Sequence, residues 1–147
     1  MQNTLCRILR LGIIVATIFF FSPVEPRAAD GRDFAGFYES TNVVDQGMVV
    51  SLKFSTQIFN YSNSDVFGAY VILDDLLLLE PYMVLQNVNI DYLGQVIVSG
   101  DITVPAWEYD QWQRGMRPNL SIIYQDSSGN TISRPVELVQ MPLGGEL

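Results

Sequence analysis

Residues 48–73 read MVVSLKFSTQIFNYSNSDVFGAYVIL, and their two-residue period decides the fold class. Met48, Val50, Leu52, Phe54 and Ile58 fall on one side of an extended chain, and Val49, Ser51, Lys53, Ser55 and Gln57 on the other. Successive side chains of a strand point to opposite faces, so this alternation predicts a strand with one face in a core and one toward solvent. Asn60-Tyr61-Ser62-Asn63-Ser64-Asp65 follows. It is rich in side chains that bond their own backbone and predicts a turn. Phe67, Ala69, Val71 and Leu73 then share a face of a second strand.

The pattern extends in both directions. Upstream, a strand is predicted over 36–44. Downstream, Val84, Val88, Ile90 and Tyr92, set among Gln86, Asn87, Asn89 and Asp91, predict a third strand, and Leu93-Gly94 a turn. Val96, Val98, Ile102 and Val104 form a fourth, with Gly100 expected at a bulge. Leu120, Ile122 and Tyr124 lead into the turn Asp126-Ser127-Ser128-Gly129-Asn130, and Ile132, Val136 and Leu138 lead out of it. Pro135 has no N–H to donate and places that last strand at a sheet edge. One short helix is predicted between Pro105, at its first position, and Gly115, at its C-terminal cap. The expectation is an all-β, two-sheet sandwich of about seven strands with one short connecting helix.

Two stretches carry a resemblance to known modules. VSLKFSTQIFNYSNSDVFGAYVIL (50–73) and RPNLSIIYQDSSGNTISRPVELVQ (117–140) resemble the strand pairs of immunoglobulin-like and fibronectin-type-III-like domains of secreted proteins. The resemblance implies an immunoglobulin-like sandwich. The chain departs from that pattern in having no cysteine pair for an inter-sheet disulfide, and Leu120 stands where a tyrosine corner would sit. The fold hosts many unrelated activities, so the likeness implies an architecture and no function.

Composition narrows the chemistry. The 147 residues suit one domain, and 48 % of them are apolar, enough for a sizeable core. The net charge is −8, Lys53 is the one lysine, and a chain this acidic repels nucleic-acid backbones. There is no histidine, the usual general base and transition-metal ligand. The single cysteine, Cys6, lies in the N-terminal segment, which leaves no thiolate for a zinc site or nucleophile in the folded part.

Residues 1–29 read as an export signal. Arg7 and Arg10 precede the apolar run LGIIVATIFFF (11–21), Pro23 and Pro26 break any helix, and Ala28-Ala29 offer a cleavage point. The run is shorter than the ~20 residues of a spanning helix. Arg27 sits where signal peptidase prefers a small residue; the alternative is retention as an N-terminal anchor, the chain's one expected tie to a membrane. Residues 30–147 are then the sandwich domain, secreted or periplasmic.

Several clusters invite a functional reading beside a structural one. Leu76, Leu77, Leu78 and Leu79, between Asp74-Asp75 and Glu80-Pro81, break strand alternation. They either cap the core or form an exposed surface for a partner. Trp107, Tyr109 and Trp112 on the short helix either plug the end of the core or stack on sugar rings. Asp126 to Asn130 alternates oxygen ligands but lacks the carboxylates and the bidentate glutamate of a calcium loop, so a plain hairpin turn is expected. The acid pairs Asp74-Asp75 and Glu108 with Asp110 are the only material for a hydrolase, and neighbours on a strand point apart. Asn60-Tyr61-Ser62 and Asn119-Leu120-Ser121 match the N-glycosylation acceptor and are taken as chance. The expectation is a non-catalytic interaction or structural domain. It needs no cofactor or metal and binds another protein of the envelope or extracellular space. The alternative is a carbohydrate-binding module.

Overall fold

In the computed structural model, residues 33–77 and 80–141 are described. The export-signal segment, 1–29, lies outside them, as do Leu78 and Leu79 of the leucine run. Eight strands and one helix form two four-stranded sheets. In chain order these are β1 (Phe34–Asp45), β2 (Val49–Asn60), β3 (Val66–Asp74), β4 (Pro81–Ile90), β5 (Gln95–Pro105), α1 (Ala106–Gln113), β6 (Asn119–Gln125), β7 (Thr131–Pro135) and β8 (Glu137–Gln140). One sheet has the order β5-β2-β1-β8 and the other β4-β3-β6-β7. The all-β sandwich with one short helix is what alternation predicts.

Strand β2 organises the first sheet. Its continuous ladder with β5 runs from Val49↔Pro105 to Phe59↔Gln95, and β1 pairs on its other side. Val50, Leu52, Phe54 and Ile58 point into the core, as predicted. Met48 does not: it precedes β2 in the β1–β2 turn and is 87 % exposed. The inner faces of both sheets meet over Phe34, Tyr38, Phe54, Ile58, Val71, Leu73, Ile90, Ile122 and Leu138. Burying each such side chain contributes roughly 1.5–3 kcal/mol before the cost of ordering the chain.

Bulges explain the faces that simple alternation misassigns. Gly68 has φ +60° and lies where the β3–β4 register shifts between Val66 and Ala69. A left-handed residue there turns the chain over, so Val66 is buried and Phe67, expected inside, is exposed. Asn87, at φ +59°, does the same in β4. Val88 and Ile90 face inward beyond it, whereas before it Met83 faces inward and Val84 outward. Tyr92 lies past the strand and is exposed.

Gly100 is not at a bulge. It sits in the unbroken β2–β5 ladder opposite Phe54, and a Cβ there would come within 2.7 Å of Met83 Sδ from the facing sheet. The missing side chain is room for a neighbour.

The predicted last strand is two. β7 pairs with β6 at the sheet edge and ends at Pro135. Buried Val136 donates its N–H to Leu120 O at 2.9 Å, and the chain crosses to the other sheet. There β8 pairs with β1 in parallel, from Ala35↔Glu137 to Tyr38↔Gln140. Pro135 thus does sit at an edge, and it also marks the crossing. The arrangement is compatible with an immunoglobulin-like architecture.

Away from the helix, Asn60 ties two turns together. Its Nδ2 donates to the carbonyls of Ser64, Ile90 and Asp91, and its Oδ1 accepts from Ser62 N and Oγ. Asn60 is fully buried, so this acceptor motif is a structural latch in the folded chain.

Candidate interaction surface

Helix α1 closes one end of the sandwich because it must bridge the sheets, from the end of β5 to the start of β6. Pro105 occupies the N-cap, one position earlier than predicted, and Gly115 follows the helix with φ +97°. The Ala106 N–H donates to Met48 O at 2.9 Å, which joins the helix to the β1–β2 turn. On the other sheet, Asp74 pairs with Asn119 at the base of the β3–β4 loop. Three segments therefore meet at this end: the β1–β2 turn, the β3–β4 loop and α1.

Their inner side is aromatic. Trp112 is completely buried, 6.1 Å from Phe54 and 6.4 Å from both Tyr82 and Tyr109 between ring centroids. It is the plug of the core, and its ring is closed to any sugar. Tyr109 is half-buried against it. Of the three helix aromatics only Trp107 is presented to solvent, at 51 % exposure, so they do not form one stacking platform.

Glu108 is the unexpected member. Glutamate is ordinarily a surface residue, yet this one is 1 % exposed. The Tyr82 hydroxyl donates to its Oε2 at 2.5 Å, and the Leu76 backbone N–H reaches the same carboxyl. Its Oε1, like Trp112 Nε1, has no well-aligned partner among the described residues. Burial pushes the Glu108 carboxyl above the usual carboxylate range; nearby Asp75 adds to this, while Tyr82 and Leu76 act against it. Burial, together with the bond to Glu108, also raises the Tyr82 phenol well above its ordinary value. Asp110, by contrast, is exposed and paired with Arg114 at 2.8 Å. One acid of this pair is buried and the other is solvated, which is not a pair facing across a cleft.

The outer side of the same end is apolar. Leu77 is 65 % exposed in the β3–β4 loop, with Leu76 partly buried beside it. Val43 and Val44 near the end of β1, Met48 in the β1–β2 turn, Trp107 from α1 and Met116 after it are exposed as well. The remaining exposed large apolar residues among those described lie away from this end. Phe67, Tyr70 and Val84 lie on the outer face of one sheet, Ile97 and Val139 on the other, and Tyr92 and Leu93 at the opposite end. Leu77 and the helix tryptophan Trp107, nominated by separate arguments, thus lie exposed at the same end of the sandwich. Sequence reasoning missed Met48, Val43 and Val44 because it placed Met48 inside and ended the first strand at position 44.

Other candidate features resolve differently. Asp126 accepts from the N–H groups of Ser128 and Asn130 and from Asn130 Nδ2. Its carboxylate organises the hairpin turn, and these bonds lower its pKa. Asp74 is pushed up by burial and by Asp75. A polar groove of about 400 Å3 lies along Asn42, Ser51, Lys53, Asp101 and Thr103. A more apolar groove of about 360 Å3 lies along Phe67, Tyr70, Ile123 and Tyr124. Among the described residues no three acidic, histidine or cysteine side chains are grouped to hold a metal ion. Compared with protein-family models and with curated proteins, the chain matches none.

Proposed function

We propose that this chain is an exported, non-catalytic binding domain that docks another envelope or extracellular protein on its α1 end. The observation carrying this reading is the gathering of Met48, Leu77 and Trp107, all at least half exposed, on three segments that the fold brings to one end. Grouped apolar exposure of this kind is costly in water and is relieved by burial against a partner. The rigid backing of Trp112 and Tyr82 supports it, because a preorganised surface loses less entropy on binding. Export rests on residues 1–29. The immunoglobulin-like assignment is supported by the strand order and by the parallel pairing of the first and last strands.

Site-specific photo-crosslinking in the native cell envelope tests this. A photoreactive residue in place of Leu77 or Trp107 is expected to trap one discrete protein, and the same residue in place of Ile97 to trap none. Crosslinks only from position 97, or from none of the three, would overturn the reading.

A further inference from the structure

We infer that the outer face of the β4-β3-β6-β7 sheet is a second binding site, and that it takes a neutral, β-linked glycan on Phe67 and Tyr70. The site lies toward the start of β3, away from α1. The inference therefore stands whether or not the α1 end binds a partner.

A bulge brings the two rings to one face. Residues three apart on a regular strand point to opposite sides, which would divide Phe67 and Tyr70 between core and solvent. Gly68, at φ +60°, sits in the register shift between Val66 and Ala69, and its N–H donates to Asn89 Oδ1 at 2.8 Å. The extra residue turns Phe67 outward, to 65 % exposure, on the side where Tyr70 is 45 % exposed. Val66, Ala69 and Val71 are buried on the inner side. A bulge gives up ladder hydrogen bonds and re-aims a side chain. Here it displays an aromatic ring that regular pairing would bury. A Cβ on Gly68 would meet nothing within 4 Å, so the space over the glycine is open.

Neighbouring strands complete a groove of about 360 Å3 around these residues. Ile123 pairs with Tyr70 across β3 and β6, and Gln125 with Thr131 across β6 and β7. Alternation along β6 sets Ile123 and Gln125 on the same outer face. The lining therefore combines two exposed rings and an aliphatic side chain with an amide and a hydroxyl, and none of its side chains is charged. Among the described residues, no side-chain hydrogen bond engages Tyr70, Gln125 or Thr131. Their donors and acceptors are open to a ligand.

That composition selects the occupant. The apolar C–H face of a pyranose ring stacks on aromatic rings, and its hydroxyls need a few neutral donors and acceptors beside them. A β-linked chain presents such faces along an extended ribbon, which suits a groove on an open sheet face. Anionic polymers are disfavoured by the net charge of −8 and by a lining without a cation. A peptide could not add here as a strand, because β3 and β6 are interior strands with neighbours on both sides. On the other sheet, Phe37 and Phe59, with Tyr61 just past β2, are half-buried and pack their rings on one another. Those rings are already engaged, whereas Phe67 and Tyr70 make no ring contact among the described residues.

The test is an NMR titration of the full chain with cellohexaose and, separately, with N-acetylchitohexaose. The two share the β-linked pyranose face and differ in the acetamido group, so the arm that responds assigns the repeating unit. Saturable shifts are expected at the Phe67 and Tyr70 rings and at the Gly68, Gln125 and Thr131 amides with one or both sugars. Phe67→Ala and Tyr70→Ala, at exposed positions that the core does not need, are each expected to weaken binding about tenfold. Ile97→Ala, on the outer face of the other sheet, is expected to leave it unchanged. No saturable shift with either sugar, shifts centred elsewhere, or an affinity unmoved by both aromatic replacements would overturn the inference. Shifts of the two rings with protein concentration alone would overturn it as well, since a second copy would then occupy the face.

Discussion

Trp107 and Trp112 lie on the same two-turn helix, yet one is half exposed and the other completely buried. Five positions separate them, so they fall on different sides of the helix, while Glu108 shares the buried side with Trp112 at the i, i+4 spacing. The helix is thus a plug on one side and a display on the other.

That division sets the first expectation. Trp112→Ala removes the centre of an aromatic cluster and should cost about 3–5 kcal/mol of stability, read from urea unfolding. Trp107→Ala should stay within about 0.5 kcal/mol. Iodide should quench the fluorescence of Trp107 and spare that of Trp112.

Asn60 should be the most sensitive polar position. Its side chain holds the carbonyls of Ser64, Ile90 and Asp91 and receives Ser62. Asn60→Ala strands several buried groups at once, and a loss on the order of 3 kcal/mol is expected in thermal or urea unfolding. A loss under about 0.5 kcal/mol would mean that the two turns are held by their backbone bonds alone.

Alkaline stability should depend on buried phenols. Burial, with some help from Tyr109, pushes the Tyr38 pKa up to about 12. The folded phenol therefore stays neutral while the unfolded one ionises from its ordinary value of 10.0 upward. Its stabilising contribution is complete below pH 10 and is lost as pH rises toward 12. Tyr38→Phe should flatten the fall of the unfolding midpoint across that window.

On the acidic side the two perturbed carboxyls act in opposite senses. Glu108, raised by burial, stabilises the fold below the ordinary glutamate range and loses its contribution as pH climbs. Asp126, lowered by the hydrogen bonds of its turn, contributes above the ordinary aspartate range and loses that as pH falls. Relative to wild type, the urea midpoint of Glu108→Gln should therefore rise as pH climbs through the acid range, whereas that of Asp126→Ala should lie lower above the ordinary aspartate range and converge with wild type as pH falls.

The sheets were legible because side-chain alternation reports burial directly, as Val50, Leu52, Phe54 and Ile58 do. Alternation fails where one residue is added to a strand, and Gly68 and Asn87 each turn the following residues over. The switch of β8 to the other sheet depends on long-range packing of Leu138 and Val136, which no local pattern encodes. At the candidate surface, Leu77 and Trp107 could be nominated from the sequence alone, but their placement at one end depends on the crossing of α1 between sheets. Glu108 was unreadable for a different reason: a glutamate next to Asp110 and Arg114 looks solvated, and only the fold places Tyr82 over it.

The most direct test of the binding account is the affinity of the crosslinked partner for two folded variants compared with wild type. Met48→Asp combined with Leu77→Asp places charge in the proposed contact, whereas Phe67→Asp places it on the outer face of the β4-β3-β6-β7 sheet, near the start of β3 and away from α1. The account predicts that the first weakens binding by about 100-fold or more, since hot-spot residues are worth 2 kcal/mol or more, and that the second leaves affinity unchanged. Equal affinity for the double variant and wild type, or loss confined to Phe67→Asp, would contradict it.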